Sequence, residues 1–451
     1  MIVIKDVKFH NVLKYVLYFL FTGILLFSRS FVGIAIFGFR IGEILIALSV
    51  IFSLFLLLIP RENFIKFTNL SVSFFYSHKL IILCFFLSLL INQHLPNSAY
   101  FFKSSSIIWV LIYFYLGLLI SKKNIFNINA AYFFWLILIL QYFLATTIGT
   151  FPYIGFYPEL LNEFFVNYSD KVEPIKASNL IMVLIFVNHL IYVNMKNKKI
   201  LLFGYLFNIA LIFPLLAFNS RGSVLFCAIY AVHSIYYLRS YIFENKLFTA
   251  FSLLFCGLVF FTSTVWIFGE FNIQTREGVA EISQEVAKST QTAIQRKNYN
   301  PETFMSFYYL DGRIYSLDGT TDWRLDIWQD SIDYQLENNL FLFGVGYDDL
   351  LVIMNDPEEP GRYGYDGLNE HVHNYVITLL ARGGLLLLLA TAAFWILMLY
   401  NYRKIKGNYY ILLLIIPPFL NALIDVAMES VQFPVVYLTL LGLSFKNQNK
   451  E

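Results

Sequence analysis

Glu370-His371-Val372-His373-Asn374-Tyr375-Val376-Ile377-Thr378-Leu379-Leu380-Ala381-Arg382-Gly383-Gly384, followed by the five leucines Leu385 to Leu389, passes without a break from titratable side chains into an apolar run. The run extends to about residue 400, longer than the roughly 20 residues a helix needs to cross a bilayer, so the stretch reads as the head of a membrane helix. Ionisable groups at a membrane boundary are costly unless they are used, which makes the same stretch the first candidate for a functional site. It closes the chain's one long hydrophilic segment, about residues 269 to 371.

The rest of the chain agrees with a membrane reading. Hydrophobic residues make up 58% of the sequence and charged residues only 14%, with a mean hydropathy of +0.63, well outside soluble globular usage. Apolar windows fall near 12 to 28, 42 to 59, 76 to 92, 101 to 120, 128 to 150, 179 to 194, 200 to 219, 221 to 241, 247 to 268, 372 to 400, 409 to 426 and 431 to 445, which predicts about 12 transmembrane helices. Basic residues flank every second gap, among them Lys5, Arg61, Lys122, Lys196, Arg239, Arg403 and Lys446, and the positive-inside rule then puts both termini in the cytoplasm. The expected organisation is helices 1 to 9 over residues 1 to 268, an outer loop domain over 269 to 371, and helices 10 to 12 with a cytoplasmic tail over 372 to 451. The first apolar run leads into further membrane segments rather than a small-residue cleavage site, so no signal peptide is expected.

Net charge is only +2, too little to suggest capture of nucleic acid by a bulk field. Cys84, Cys227 and Cys256 all lie in apolar windows and read as small buried hydrophobes. The outer loop holds roughly 19 acidic and 7 basic side chains. Within it, Thr275 to Lys297 and Trp323 to Leu336 place apolar residues at helical spacing, which predicts two amphipathic helices. Gly344-Val345-Gly346 and Asp356 to Gly361 read as turns.

A site on one face of a membrane must draw its residues from that face. Of seven histidines only His94, His371 and His373 reach the outer side by this topology. His373 is expected in the first turn of a helix, where the dipole disfavours the imidazolium and keeps the ring able to accept a proton. Glu370, three residues earlier, would orient it. Capping of a helix end is the alternative role for His371, His373 and Asn374. Arg221, between the small residues Ser220 and Gly222, suits bidentate phosphate contact or simple snorkelling to the interface. Arg324, in Asp322-Trp323-Arg324-Leu325-Asp326, is either a third functional group or the partner of a neighbouring aspartate. Arg40 and Glu43, with Asp425 and Glu429, complete the outer-face charges. The first outer loops contain no Asp-x-Asp or Glu-x-Asp pair, and no Walker loop, dinucleotide fingerprint or Gly-x-Ser-x-Gly is present, so the expectation is transfer from an already activated donor without metal, nucleotide or other cofactor.

His373-Asn374, nine residues and then Gly384 at the head of a membrane helix resembles the shared motif of O-antigen ligases and O-antigen polymerases. Asn179 at a helix start, Ser220-Arg221-Gly222, and Arg324 with Trp328 and Gly344-x-Gly346 follow in the family's order, so the resemblance covers nearly the whole chain. Arg382 stands where an acidic residue is common and Leu387 where Gly, Thr or Tyr is usual. The resemblance implies an all-α polytopic protein with a C-type glycosyltransferase-like fold in the bacterial inner membrane, moving a glycan from undecaprenyl diphosphate to an acceptor glycolipid. It implies His373 as catalytic base, Arg221 and Arg324 as diphosphate ligands, and Glu370, Asn374, His371, Arg40, Asp425 and Glu429 in support, with a chain-length regulator as a further partner. Polymerase is the first reading and ligase the alternative. A lipid-linked oligosaccharide transporter shares the helix count and inner termini, yet lacks reason for so long an outer loop and would call for an internal two-fold repeat.

Overall fold

The computed structural model describes residues 2–92, 98–147, 159–172, 175–269, 306–355, 362 and 370–446. The amphipathic helix expected over 275 to 297, His94 and the turn at 356 to 361 lie outside the described residues. The described chain is predominantly helical, with two small hairpins.

Its helices are α1 (Ile2–Phe27), α2 (Arg29–Val32), α3 (Ile41–Leu58), α4 (Arg61–Thr68), α5 (Val72–Asn92), α6 (Ser98–Ser104), α7 (Ser106–Trp109), α8 (Tyr113–Lys122), α9 (Ile128–Thr147), α10 (Glu159–Tyr168), α11 (Ala177–Asn194), α12 (Lys198–Asn219), α13 (Arg221–Glu244), α14 (Lys246–Gly269), α15 (Gly319–Glu337), α16 (Tyr375–Lys406), α17 (Ile411–Ala422) and α18 (Gln432–Leu443). The hairpins pair β1 (Ala35–Ile36) with β2 (Phe39–Arg40) and β3 (Phe307–Leu310) with β4 (Arg313–Ser316), both antiparallel.

The apolar windows fall on helical segments, the one at 101 to 120 on α6, α7 and α8 in succession, but among the described residues only eight helical spans, Tyr100–Lys122 among them, are long and apolar enough to cross a membrane. α17 and α18 are shorter, and a helix of 12 residues rises only about 18 Å. α13 is long enough, but it is diluted by His233, Ser234, Arg239 and Ser240. Hydropathy windows count apolar runs and are blind to where a helix stops short.

The core gathers round α11, whose residues Ala177 to Ile191 are all buried. Small residues allow the closest crossing: a Cβ on Gly117 would lie 2.0 Å from the Thr439 carbonyl oxygen, and one on Gly442 the same distance from that of Phe114, so α8 and α18 meet backbone to backbone. Asn208 donates to Asn188 at 2.7 Å and accepts from Trp135 Nε1 at 2.7 Å, cross-linking α12, α11 and α9 where water is absent. The ends of α11, α16 and α18 gather on one face, where Lys446 Nζ donates to Asn194 and Lys406 to the Lys446 carbonyl. The starts of α11, α13 and α16 gather on the other.

The single helix expected from about 372 to 400 is broken. At Gly384 φ is 67° and ψ is −171°, which divides α16 into a short N-terminal part and a long C-terminal one. The chain from Leu340 to Gly346 crosses the break. Val345 N donates to Ala381 O at 2.8 Å and Gly346 N to Arg382 O at 3.0 Å, while Leu385 N donates to Phe341 O at 2.9 Å. These bonds occupy the groups that the break releases. A Cβ at Gly384 would sit 2.3 Å from the Leu342 carbonyl, and one at Gly344 2.5 Å from that of Arg382, so the two glycine pairs form one packing device. Arg382 locks it, donating to Asp349 O at 2.5 Å and to Tyr100 Oη at 3.0 Å.

Candidate active site

α15 matches the second amphipathic helix expected in the outer loop, and it decides where the histidines stand. Asp318 caps it by accepting from Thr321 N at 2.9 Å. One face carries Asp326 and Asp330, both held by Arg313 and by the buried Arg362. The other face packs Ile327, Trp323 and Trp328 on Val372, Ala381 and Ile377 at the head of α16. Trp328 Nε1 donates to Val372 O at 2.6 Å and Gln335 Nε2 to Leu380 O at 2.8 Å. The indole therefore fixes the backbone between the two histidines.

His373 is not in the first helical turn. α16 starts at Tyr375, and Asn374 is its N-cap, accepting from Val376 N at 2.9 Å and Ile377 N at 3.1 Å. Asparagine is among the strongest capping residues, so the cap ends the helix one residue after His373. His373 itself has φ 55°, a left-handed conformation uncommon outside glycine. Its ring meets the Trp323 ring edge-on with centroids 5.4 Å apart. Burial, then the Arg324 charge, and more weakly Lys176, lower its pKa to about 4 against an opposing effect of Asp425. The imidazole is thus neutral near pH 7, with one ring nitrogen protonated and the other able to accept a proton. Burial and the charges of Lys103, His373, Arg382 and Arg29 hold His371 well below the usual range as well.

Glu370 does not share a helical face with His373, because the chain there is not helical, and its carboxylate pairs with Lys103. Arg324 makes no salt bridge with Asp322 or Asp326 among the described residues; Asp326 is taken by Arg313 and Arg362, and Asp322 accepts from Ser316 N at 2.8 Å. Its Nε is buried without a hydrogen-bond partner among the described residues. Burial lowers its pKa, and Asp425 and Asp318 oppose that. Asp425 thus acts on both Arg324 and His373.

Glu429 is buried, and its Oε1 accepts from Thr378 Oγ1 at 2.8 Å on the first turn of α16. Desolvation, with some help from Asp425, pushes its pKa up to about 8. Arg221 opens α13, with Ser220 as the N-cap accepting from Ser223 N at 3.4 Å; the Arg221 side chain lies outside the description. The smallness of Gly222 serves packing rather than ligand access, since a Cβ there would lie 2.6 Å from Ile424 Cδ1. Ser223 Oγ donates to Asn421 at 3.0 Å, so the head of α13 abuts the segment that leads to Asp425. Arg40 is more remote in role: it pairs with Asp170 at 2.9 Å and caps α3 together with Glu43.

Sequence reasoning passed over Lys176, Lys103 and Arg29, which stand far apart along the chain and acquire meaning only when α11, α6 and α2 bring them to the histidines. Nothing local marks them. Trp323 was legible only as the first residue of the amphipathic segment, not as the ring beside His373.

A neutral histidine, an arginine with no salt bridge among the described residues and a carboxylate that acts on both by charge come together at the head of α16, an arrangement chemically suited to proton abstraction beside an anionic group. Residues 206–392 match the family model for O-antigen ligase, a region that takes in α13, α15 and the head of α16. Over these residues the chain is similar to that family. No curated protein matches the chain significantly.

Proposed function

We propose that this protein is a metal-independent glycosyltransferase of the bacterial inner membrane that moves a glycan from undecaprenyl diphosphate to an acceptor sugar on the periplasmic side, acting as a polymerase of O-antigen or a related surface polysaccharide. The observation that carries this reading is the convergence of His373, Arg324 and Asp425 at the start of α16, beside the head of α13 where Arg221 stands. In the proposed step the neutral His373 takes the proton of the acceptor hydroxyl, the oxygen bonds to the anomeric carbon, and the bond from that carbon to the diphosphate breaks. Arg324 and Arg221 take up the charge on the departing diphosphate, the kind of electrostatic contribution that often dominates catalysis. A base with a pKa near 4 is weak. The arriving diphosphate neutralises Arg324 and so strengthens His373 when the donor is in place. Glu370, His371 and Asn374 shape this site through the Lys103 pair, the fixed Val372 backbone and the helix cap. Arg40 and Glu429 hold neighbouring segments.

The family model's description supports a second reading in which the acceptor is the lipid A core. Purified protein given a defined undecaprenyl-diphosphate glycan, with either a second lipid-linked unit or a core glycolipid as acceptor, separates the two. Transfer to neither overturns the enzyme reading and returns the transporter alternative. Reporter fusions near Asn300 and at Lys450 test the sidedness; a cytoplasm-specific reporter active near Asn300 would refute it.

A further inference from the structure

The first hairpin is built against its own sequence preference. Ala35 pairs with Arg40 and Ile36 with Phe39, leaving Phe37 and Gly38 as a two-residue turn with φ 52° and 83°. Such a turn favours Asn, Asp or Gly at both positions. Here the first is phenylalanine, strained and 99% exposed. Phe39 beside it is 64% exposed, and open space surrounds Gly38. A strained, solvent-facing aromatic ring points to a use for it.

The hairpin is fastened to α10. Ile34 bridges to Ser169, Asp170 N donates to Gly33 O at 3.4 Å, and Arg40 pairs with Asp170 at 2.9 Å. On α10, Phe165 is buried against Phe27, with centroids 5.0 Å apart, while Leu160, Phe164 and Tyr168 repeat every fourth residue on an exposed stripe. β2 runs directly into α3, whose exposed Ile44, Leu48, Ile51, Phe52 and Phe55 continue the apolar surface along a membrane-spanning helix. The patch is thus continuous with the surface that faces lipid, and ion pairs line its other edge.

We infer that the β1–β2 tip and α10 are seated in the bilayer leaflet bordering the site, with Phe37, Phe39, Leu160 and Phe164 among acyl chains and the Arg40–Asp170 pair at headgroup level. Aromatic residues favour that depth, and an amphipathic helix lies in it with its apolar stripe down. The seat adjoins the site: a Cβ on Gly42, two residues beyond the hairpin, would lie 3.8 Å from Val431 Cγ2, two residues after Glu429, and Arg29, on the helix before the hairpin, acts by its charge on His371. It would hold the site at the depth where a lipid-linked sugar presents its diphosphate. That last role rests on the proposed function; the seat itself does not.

The test uses single-cysteine labelling, since Cys84, Cys227 and Cys256 are buried. Full-length protein carrying Phe37→Cys or Phe164→Cys, labelled with an environment-sensitive fluorophore and placed in nanodiscs of phosphatidylethanolamine and phosphatidylglycerol, should be quenched by spin-labelled lipid at least about two-fold more than the exposed control Glu337→Cys, and correspondingly less by aqueous iodide. Phe37→Asn fits the left-handed turn but removes the apolar tip. In that background the label at position 164 should move toward iodide exposure while the protein still folds. Equal iodide quenching at 37 and 337 overturns the inference. Protection that appears only when another membrane protein is present overturns it in favour of a protein partner. Absence of glycan transfer by the same samples would count against the proposed function and leave the seat standing.

Discussion

Arg324→Gln removes a positive charge that stands against the imidazolium of His373 while keeping much of the side chain's length. The wild-type ring, held to about 4 by burial first and by Arg324 next, should give a kcat/KM that is level near neutral pH and falls only as pH drops through about 4. A single neighbouring charge is worth about 1 to 3 pKa units, so the variant's acid limb should move up by about one to two units, into the range from 5 to 6. At about 1.4 kcal/mol per unit, that corresponds to roughly 1.4 to 3 kcal/mol of repulsion relieved. The height of the profile should fall about 10² to 10³-fold, because the diphosphate loses a fixed donor. Asp425→Asn should shift the limb the other way, since Asp425 favours the protonated ring. The assay is the pH dependence of kcat/KM for transfer from a defined undecaprenyl-diphosphate glycan, which reports groups of the free enzyme. An Arg324→Gln profile with an unmoved or lowered acid limb would refute the assignment of Arg324 and His373 to one site, whatever happens to the rate.

His373→Ala should retain donor binding and lose about 10² to 10⁴-fold in kcat, the usual worth of a positioned base; His371→Ala should cost less, and near wild-type turnover by His373→Ala would exclude the base role. Arg221→Ala should abolish transfer and Arg221→Lys restore it poorly, because a point charge cannot reproduce a two-pronged phosphate contact; normal polymer from a well-expressed Ala variant would remove Arg221 from the site. Glu429 holds its proton more tightly folded, at about 8, than the ordinary carboxyl near 4.5, so its contribution to stability declines as pH rises between those values. Thermal unfolding of Glu429→Gln should lack that decline, by up to about 1.4 kcal/mol per pH unit, and identical pH slopes would contradict it. Gly384→Ala forces a Cβ onto the Leu342 carbonyl in a left-handed conformation, so limited proteolysis should cut the 340 to 350 segment faster than in wild type; unchanged cleavage would show that the break tolerates a side chain.

Sequence by itself pointed to the membrane class, the apolar windows that became helices, the amphipathic segment that became α15 and the residues proposed for the site. Each of these is written in local periodicity or in the cost of placing charge beside lipid. His373-Asn374 was readable as polar groups at a helix head; that Asn374 would cap and leave His373 outside the helix depended on backbone hydrogen bonds made only in the folded chain. The break at Gly384 escaped notice because an apolar run looks the same whether its carbonyls bond four residues on or accept from Gly346 and Val345 across the fold. The pairing of Glu370 with Lys103, some 270 residues apart, and the joint action of Arg324, Lys176 and Asp425 on one imidazole likewise have no local trace. Charge acts through space, and tertiary structure alone sets the distances and the burial that make those charges count.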